Sequence, residues 1–225
     1  VGLTKESTDL TNAKDVKNFF DSHLDNPFDW VIHCATRGGS RLLKEDDSVI
    51  ADNLRMYFNL LDNQSAYGRL ISFGSGAEVF AANTPYGFSK KVIADTISKT
   101  ESHFNIRIYG LFDENELPTR FIKANILRYI NKEPIQIHSN KMMDFFYMED
   151  LVSLIEYYLE ASEPPKLVSC SYLEMVDLRM IANGINKLSD YKVAVVVGGS
   201  ESEDYSEREA SCACNIIKKI GRAHV

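Results

Sequence analysis

Pro85-Tyr86-Gly87-Phe88-Ser89-Lys90, read with Arg69-Leu70-Ile71-Ser72-Phe73-Gly74-Ser75-Gly76 just upstream, decides how this chain folds. An apolar strand stops at Gly74-Ser75-Gly76, and a helix opens near Pro85. Pro suits such a start, because the first helical turn has spare N–H groups and a fixed φ fits there. In that helix Tyr86 and Lys90 stand about one turn apart and share a face. An ammonium beside a phenol favours the phenolate and lowers its pKa. That makes a base for a sugar or alcohol hydroxyl near neutral pH. The pair alone is a short motif, and its surroundings decide its meaning.

Working outward, strands and helices alternate, which predicts an α/β fold with a parallel sheet. The first residues read as the tail of a strand, and 9–12 as a turn. A helix is expected over 13–23, then a strand over 28–35 whose near-continuous apolar run suits a buried parallel strand. A loop over 36–40 leads to a helix over 46–63, with Leu54, Phe58 and Leu61 on one face. The strand 69–73, the helix 86–103 and a strand 105–110 follow. A polar, turn-like stretch at 113–118 opens a segment of different character. It carries helices over 119–131, 148–161 and 176–187, and strands over 135–137, 166–170 and 193–197. The acidic run 200–209 reads as solvated. The expected organisation is 1–113, 114–219 as a mainly substrate-binding lobe with returning sheet elements, and 220–225 as an appended tail resembling translated adapter sequence. His224 is therefore assigned no role.

Composition narrows the function classes. The chain has 225 residues and 44% hydrophobic content, enough for a sizeable core. A net charge of −7 without a basic, aromatic-interleaved stripe argues against nucleic acid. No apolar run reaches the roughly 20 residues needed to cross a bilayer, so no membrane partner is expected. Of the four cysteines, Cys34 reads as a buried free thiol in a strand. Cys212-Ala213-Cys214 lacks metal-ligand spacing, so no metal site is expected. A reducing cytoplasm fits this usage.

The order of motifs resembles the extended short-chain dehydrogenases/reductases of the NAD(P)-dependent epimerase/dehydratase family, which act on nucleotide sugars. The likeness spans roughly 1–187. Asp9-Leu10-Thr11-Asn12 resembles the family's acidic turn at the adenine, and Val31-Ile32-His33-Cys34-Ala35 its strand bordering the coenzyme. Asn53 matches the usual helix Asn, and 72–80 the strand end bearing the catalytic Ser or Thr. Tyr86 and Lys90 match Tyr-x-x-x-Lys, and 144–151 the Asp-Phe segment that opens a late helix. The Gly38-Gly39 pair is similar to that of the GDP-fucose synthases in the family.

This resemblance implies a Rossmann-like doubly wound sheet that lacks its first strand and glycine-rich loop, with a small C-terminal substrate lobe. It implies Tyr86 as base, Lys90 lowering its pKa and bonding the nicotinamide ribose, and Ser75 bonding the same substrate oxygen. Asp9, Leu10, Cys34, Ala35, Thr36 and Asn53 become coenzyme contacts, with Tyr86 and Lys90. Lys5, beside Thr4, favours NADP over NAD, since a cation there can meet a 2′-phosphate. A nucleotide-diphosphate sugar is the implied partner. A homodimer through 46–63 and 86–103 is the family's habit.

Several residues carry two readings. Ser75 or a neighbour such as Gly76 occupies the position of the catalytic hydroxyl, depending on register. Glu78 stands where dehydratases carry the second carboxylate of an Asp-Glu pair, with Ala77 replacing the Asp. It reads as an acid/base toward substrate or, more ordinarily, as a solvated side chain. Met143 stands where many members have Arg, so Arg120 or Lys141 would take the diphosphate, while Lys123 reads as a surface cation. His33 reads as a hydrogen-bonded core histidine, Asp9 alternatively as an N-cap, and Gly38-Gly39 alternatively as a turn. The separation of 11 positions between Ser75 and Tyr86 is short for the family's substrate loop and leaves the sugar open. Two rival functions are an idle coenzyme-binding interaction or sensor protein, and a reductase of a non-nucleotide substrate. A chain without the glycine-rich pyrophosphate cradle is expected to be inactive by itself. Turnover equal to that of a longer form carrying the cradle would overturn that expectation.

Overall fold

A computed structural model describes residues 1–40, 43–199 and 212–220. The acidic run 200–209, expected to be solvated, and His224 lie outside the described residues. The chain divides into two compact units, one of Val1–Ile108 with Ala161–Val168, the other of Tyr109–Glu160 with the described residues from Ser169 on.

In the first unit the elements run α1 (Ala13–Asp21), β1 (Phe28–His33), α2 (Ser48–Asp62), β2 (Tyr67–Ser75), α3 (Ala77–Phe80), α4 (Pro85–Ile97) and β3 (His103–Ile108). The sheet order is β1-β2-β3, followed by the strand Leu167–Cys170, of which Leu167 and Val168 fall in this unit. β1 pairs β2 and β2 pairs β3 in parallel, with Ile32 opposite Ile71 and Ser75 opposite Ile108. The mixed α/β, Rossmann-like architecture is the expected one. Its core joins Val16 and Phe20 of α1, Tyr57 and Leu60 of α2, Leu70 of β2, and Ile93 and Ile97 of α4.

Local chemistry sets the helix starts. The Asn12 side chain accepts from the N–H groups of Lys14 and Asp15 and so caps α1. Asp9 instead accepts from the backbone and hydroxyl of Thr11, which corrects the reading of Asp9 as the cap. Thr84 caps α4 by accepting from Gly87 N–H at 3.1 Å, with Pro85 in the first turn. Gly87 lets this turn press against α3: a Cβ there would lie 1.9 Å from the Ala81 carbonyl oxygen and 2.7 Å from that of Ala77.

The second unit holds β4 (Leu111–Phe112), α5 (Phe121–Ile130), β5 (Ile135–Ile137), β6 (Phe146–Tyr147) and α6 (Met148–Glu160). After β7 (Leu167–Cys170) come α7 (Leu178–Ile185), β8 (Val195–Val197) and α8 (Ala213–Lys219). β4 pairs β6 and β5 pairs β8, both in parallel. Tyr129, Ile135, Ile137, Met143, Leu178, Ala182 and Ile185 form its core.

Several expectations are corrected. Residues 1–4 form no strand and are exposed. β1 stops at His33, and only His33 of its six residues is buried, because β1 ends the sheet of the described residues. Cys34 therefore lies beyond the strand and is exposed. The helix expected over 86–103 ends at Ile97, where the Ser98 and Thr100 hydroxyls bond the carbonyls of Asp95 and Ile97. No Gly or Pro marks that stop, so periodicity alone overruns it. The sequence reading missed α3, β4, β6 and α8. The Cys212 and Cys214 sulfurs lie side by side at the start of α8. Among the described residues no helix is long and apolar enough to cross a membrane.

Two histidines are buried in the first unit. His103 lies between the Tyr57 hydroxyl, 2.9 Å from Nδ1, and the Tyr67 hydroxyl, 3.2 Å from Nε2. Burial, aided by Lys166, lowers its pKa to about 4. His33 is buried as expected, but its Nδ1 has no hydrogen-bond partner, which corrects the bonded reading. Burial, aided by Lys90, lowers its pKa to about 3.

Two predictions follow from this packing. Gly87→Ala forces the first turn of α4 off the α3 backbone and lowers stability by about 2–4 kcal/mol, read by urea unfolding. For both histidines the unfolded state binds protons first, near the ordinary value of 6.5. Stability is therefore complete above about pH 6.5 and falls as pH drops toward 3–4, by a few kcal/mol in total at order of magnitude. His33→Leu flattens part of that slope; an unchanged slope would rule His33 out as a contributor.

Candidate functional site

The site forms where β1, β2 and β3 end at their carboxyl termini, the place where open parallel sheets receive ligands. Ser75 is the last residue of β2. Its Oγ accepts from Ala77 N–H at 3.2 Å, which aims the hydroxyl at the start of α3. Gly76 N–H donates to the Ile108 carbonyl at 2.9 Å, so this strand end is fastened to that of β3.

α4 carries Tyr86 and Lys90 on one face, with Lys90 Nζ 5.6 Å from the centre of the Tyr86 ring. Lys90 is only 7% exposed, and its ammonium donates to the Phe73 carbonyl of β2 at 2.8 Å. Burial lowers its pKa to about 8, against the opposing pull of Glu78. A lysine with that value changes charge within the working pH range.

The loop after β1 lies over the tyrosine. Gly39, at φ +79°, sits so close that a Cβ would fall 3.0 Å from the Tyr86 ring. The Glu45 carboxylate accepts from Gly39 N–H with one oxygen and from Tyr86 N–H, at 3.1 Å, with the other. It thus joins the loop to the positive end of α4. Cys34, Ala35 and Thr36 are exposed along this loop. Asn53 is buried beneath it: its amide donates to the Arg37 carbonyl and the Ser89 hydroxyl and accepts from Arg37 N–H. It shapes the loop and has both donors engaged within the protein.

Glu78 is not solvated, which corrects that expectation. It is 5% exposed and accepts from Arg107 Nε, from Asn105 Nδ2 at 3.1 Å and from Ser75 N–H at 3.2 Å. Burial raises its pKa, and Arg107, Ser75 and Asn105 oppose that rise. Asp9 and Leu10 precede α1, where the Leu10 carbonyl accepts from Asn59 of α2. Lys5 is exposed.

In the second unit, Arg120 is exposed just before α5, and Lys141 is half-buried. Asp144, Phe145, Tyr147, Glu149, Asp150, Phe112, Tyr172, Glu174 and Val176 line a cavity of about 640 Å³ that includes neither cation. Met143 packs in the core beside it in sequence. Among the described residues no three metal-ligating side chains gather.

The sequence reading missed Glu45, Asn105 and Arg107. Arg107 did carry a signal, since a charged residue within the apolar strand Phe104-Asn105-Ile106-Arg107-Ile108 needs a buried partner. Glu45 carried none, because its partners are backbone groups brought close by folding.

Comparison with known proteins bears on this geometry. No curated protein matches the chain. Among solved structures, a GDP-mannoheptose C4 reductase from Campylobacter jejuni with NADP bound matches with TM-score 0.74 and 14% identity, over 98% of this chain and 83% of that one. A GDP-L-fucose synthetase from Naegleria fowleri bound to NADP matches with TM-score 0.70 and 14% identity, over 98% and 78%. A UDP-glucuronic acid 4-epimerase from Bacillus cereus, in complex with UDP-glucuronic acid and NAD, matches with TM-score 0.68 and 15% identity, over 91% and 71%. Identities this low speak for the fold alone. The family model, by contrast, matches residues 3–170, most of the chain, and by that match the protein belongs to the NAD dependent epimerase/dehydratase family.

Proposed function

We propose that this protein is an NAD(P)-dependent enzyme that interconverts nucleotide-diphosphate sugars through a keto-sugar intermediate, as an epimerase, dehydratase or reductase. The observation that carries the reading is the placement of Lys90 against Tyr86 on α4, beside the end of β2 that presents Ser75. Tyr86 removes or returns the proton of the reacting hydroxyl, and Ser75 donates a hydrogen bond to the same oxygen. Lys90, when charged, stabilises the phenolate. The bound nicotinamide coenzyme supplies the hydride acceptor and donor.

The residues present fit the nicotinamide side of such a coenzyme, while its pyrophosphate calls for the glycine-rich cradle. Cys34, Ala35 and Thr36 are exposed at the carboxyl end of β1, and Lys90 offers a buried donor next to the tyrosine. Asn53 acts by shaping the loop that would border the coenzyme. Asp9 and Leu10 are assigned to the adenine end. Lys5 favours NADP, while the structural neighbours carry NADP in two cases and NAD in another. Gly76 flanks the substrate side of Ser75, Glu78 is withdrawn from it by its burial on Arg107, and Arg120 and Lys141 are the candidate diphosphate partners in the second unit. We assign the protein to the cytoplasm and expect a homodimer through α2 and α4, where Phe88 is 46% exposed. Residues 1–113 are assigned to the coenzyme and 114–219 mainly to substrate.

Met143 in the core and the carboxylates lining the second-unit cavity favour one alternative, a reductase of a non-nucleotide substrate. Carboxylates there would repel a diphosphate, whereas an uncharged carbonyl compound carries no such penalty.

The test is turnover of UDP-, GDP- and ADP-sugars with NAD and NADP by a longer form that carries the glycine-rich cradle, with keto sugar detected by mass spectrometry. Tyr86→Phe is expected to lower kcat by about 10²–10⁴-fold while coenzyme binding persists. Ser75→Ala is expected to lower kcat by about 10²-fold. Coenzyme binding without turnover of any sugar would favour the idle reading. Turnover of small ketones, uninhibited by UDP or GDP, would favour the reductase of a non-nucleotide substrate.

A further inference from the structure

Beneath Ser75 lies a buried ionic network that the proposed chemistry does not itself use. Glu78, Arg107 and Asn105 are each under 8% exposed. The Glu78 carboxylate takes Arg107 Nε and Asn105 Nδ2, both from β3, on one oxygen, and Ser75 N–H from the end of β2 on the other. Three donors from two strands therefore converge on one carboxylate held in α3.

A carboxylate with this burial persists as a charge only because a cation faces it. Arg107 is that cation, and Lys90 of α4, bonded to the Phe73 carbonyl two residues before the Ser75 N–H that Glu78 accepts, lies within the reach of the carboxylate. The groups facing Lys90 are the Phe73 carbonyl from β2, the Tyr86 ring on its own helix, His33 from β1 and Glu78 from α3. Of these Glu78 alone carries negative charge, since His33 is held neutral by burial. So engaged, the Glu78 carboxylate is a poor candidate to exchange protons with a substrate.

We propose that Glu78, locked by Arg107, is a positioning residue that sets the backbone direction of Ser75 at the end of β2 and serves as the counter-charge of the Lys90 ammonium bonded to that same strand end. The inference rests on the reading of Tyr86, Lys90 and Ser75 given above. Glu78 acts through these groups and does not touch the reacting atoms.

The test uses two variants, Glu78→Gln and the charge-balanced pair Glu78→Leu with Arg107→Met, each checked for folding by circular dichroism. Replacing both members of a buried ion pair by apolar side chains preserves stability far better than removing one. The first readout is the titration of Lys90 by NMR of ¹³C-labelled lysine, its signal identified by loss in Lys90→Met. In the parent the midpoint is expected near 8. In Glu78→Gln, where Arg107 stays in place, it is expected to fall by about one pH unit, because an opposite charge has been removed; the pair removes one charge of each sign and is expected to shift it less. The second readout is amide hydrogen exchange at Ser75, expected to speed up about 10-fold in the apolar pair, where the carboxylate acceptor is gone. A role in packing alone would leave both readouts as in the parent. An unchanged Lys90 midpoint in folded Glu78→Gln, or unchanged Ser75 exchange in the folded apolar pair, overturns the inference. Neither measurement needs coenzyme or substrate, so a failure of the enzymatic reading would show in turnover and a failure of this inference in Lys90 or Ser75.

Discussion

A lysine ammonium buried against the end of a parallel strand is the constraint around which the first unit is arranged. A charge so placed is costly unless hydrogen-bonded and balanced. Lys90 meets that requirement with a carbonyl of β2, and Glu78 supplies the opposing charge from α3. For this to work, α4 must approach β2 and α3 closely. Gly87 permits that approach, and the Thr84 cap with Pro85 fixes where the helix begins. Tyr86 is then oriented as a consequence, one turn ahead of Lys90 and under the loop at Gly39.

The same arrangement explains why the site is rich in backbone contacts. Glu45 binds two N–H groups, Asn53 binds both backbone groups of Arg37, and Ser75 is held by its own N–H and by that of Ala77. Loops after parallel strands carry function because the strands hold their starting points rigid. Here polar side chains also secure the far ends.

The two units differ in how readily their sequence could be read. In the first, long periodic segments made α1, α2 and α4 legible, and Asn53, Ser75, Tyr86 and Lys90 stood out by motif order. In the second, β4 and β6 are two-residue strands, below any length at which alternation carries a signal. The apolar run 28–35 suits a buried strand, yet Ile32 is 42% exposed. Apolar composition reports what a strand can bury, whereas its place in the sheet decides what it does bury.

By itself the sequence determined the alternation of elements, the helix that opens at Pro85 and the shared face of Tyr86 and Lys90. Those features follow from local periodicity and from backbone chemistry within a few residues. Tertiary structure alone decided that Glu78 is buried on Arg107, 29 residues away, and that Glu45 reaches Tyr86 N–H, 41 residues away. It also decided that Asp9 turns onto Thr11 while Asn12 caps α1. The long-range pairs depend on which strands and helices become neighbours, and a carboxylate in a linear sequence carries no mark of the cation or the amide that folding will bring to it.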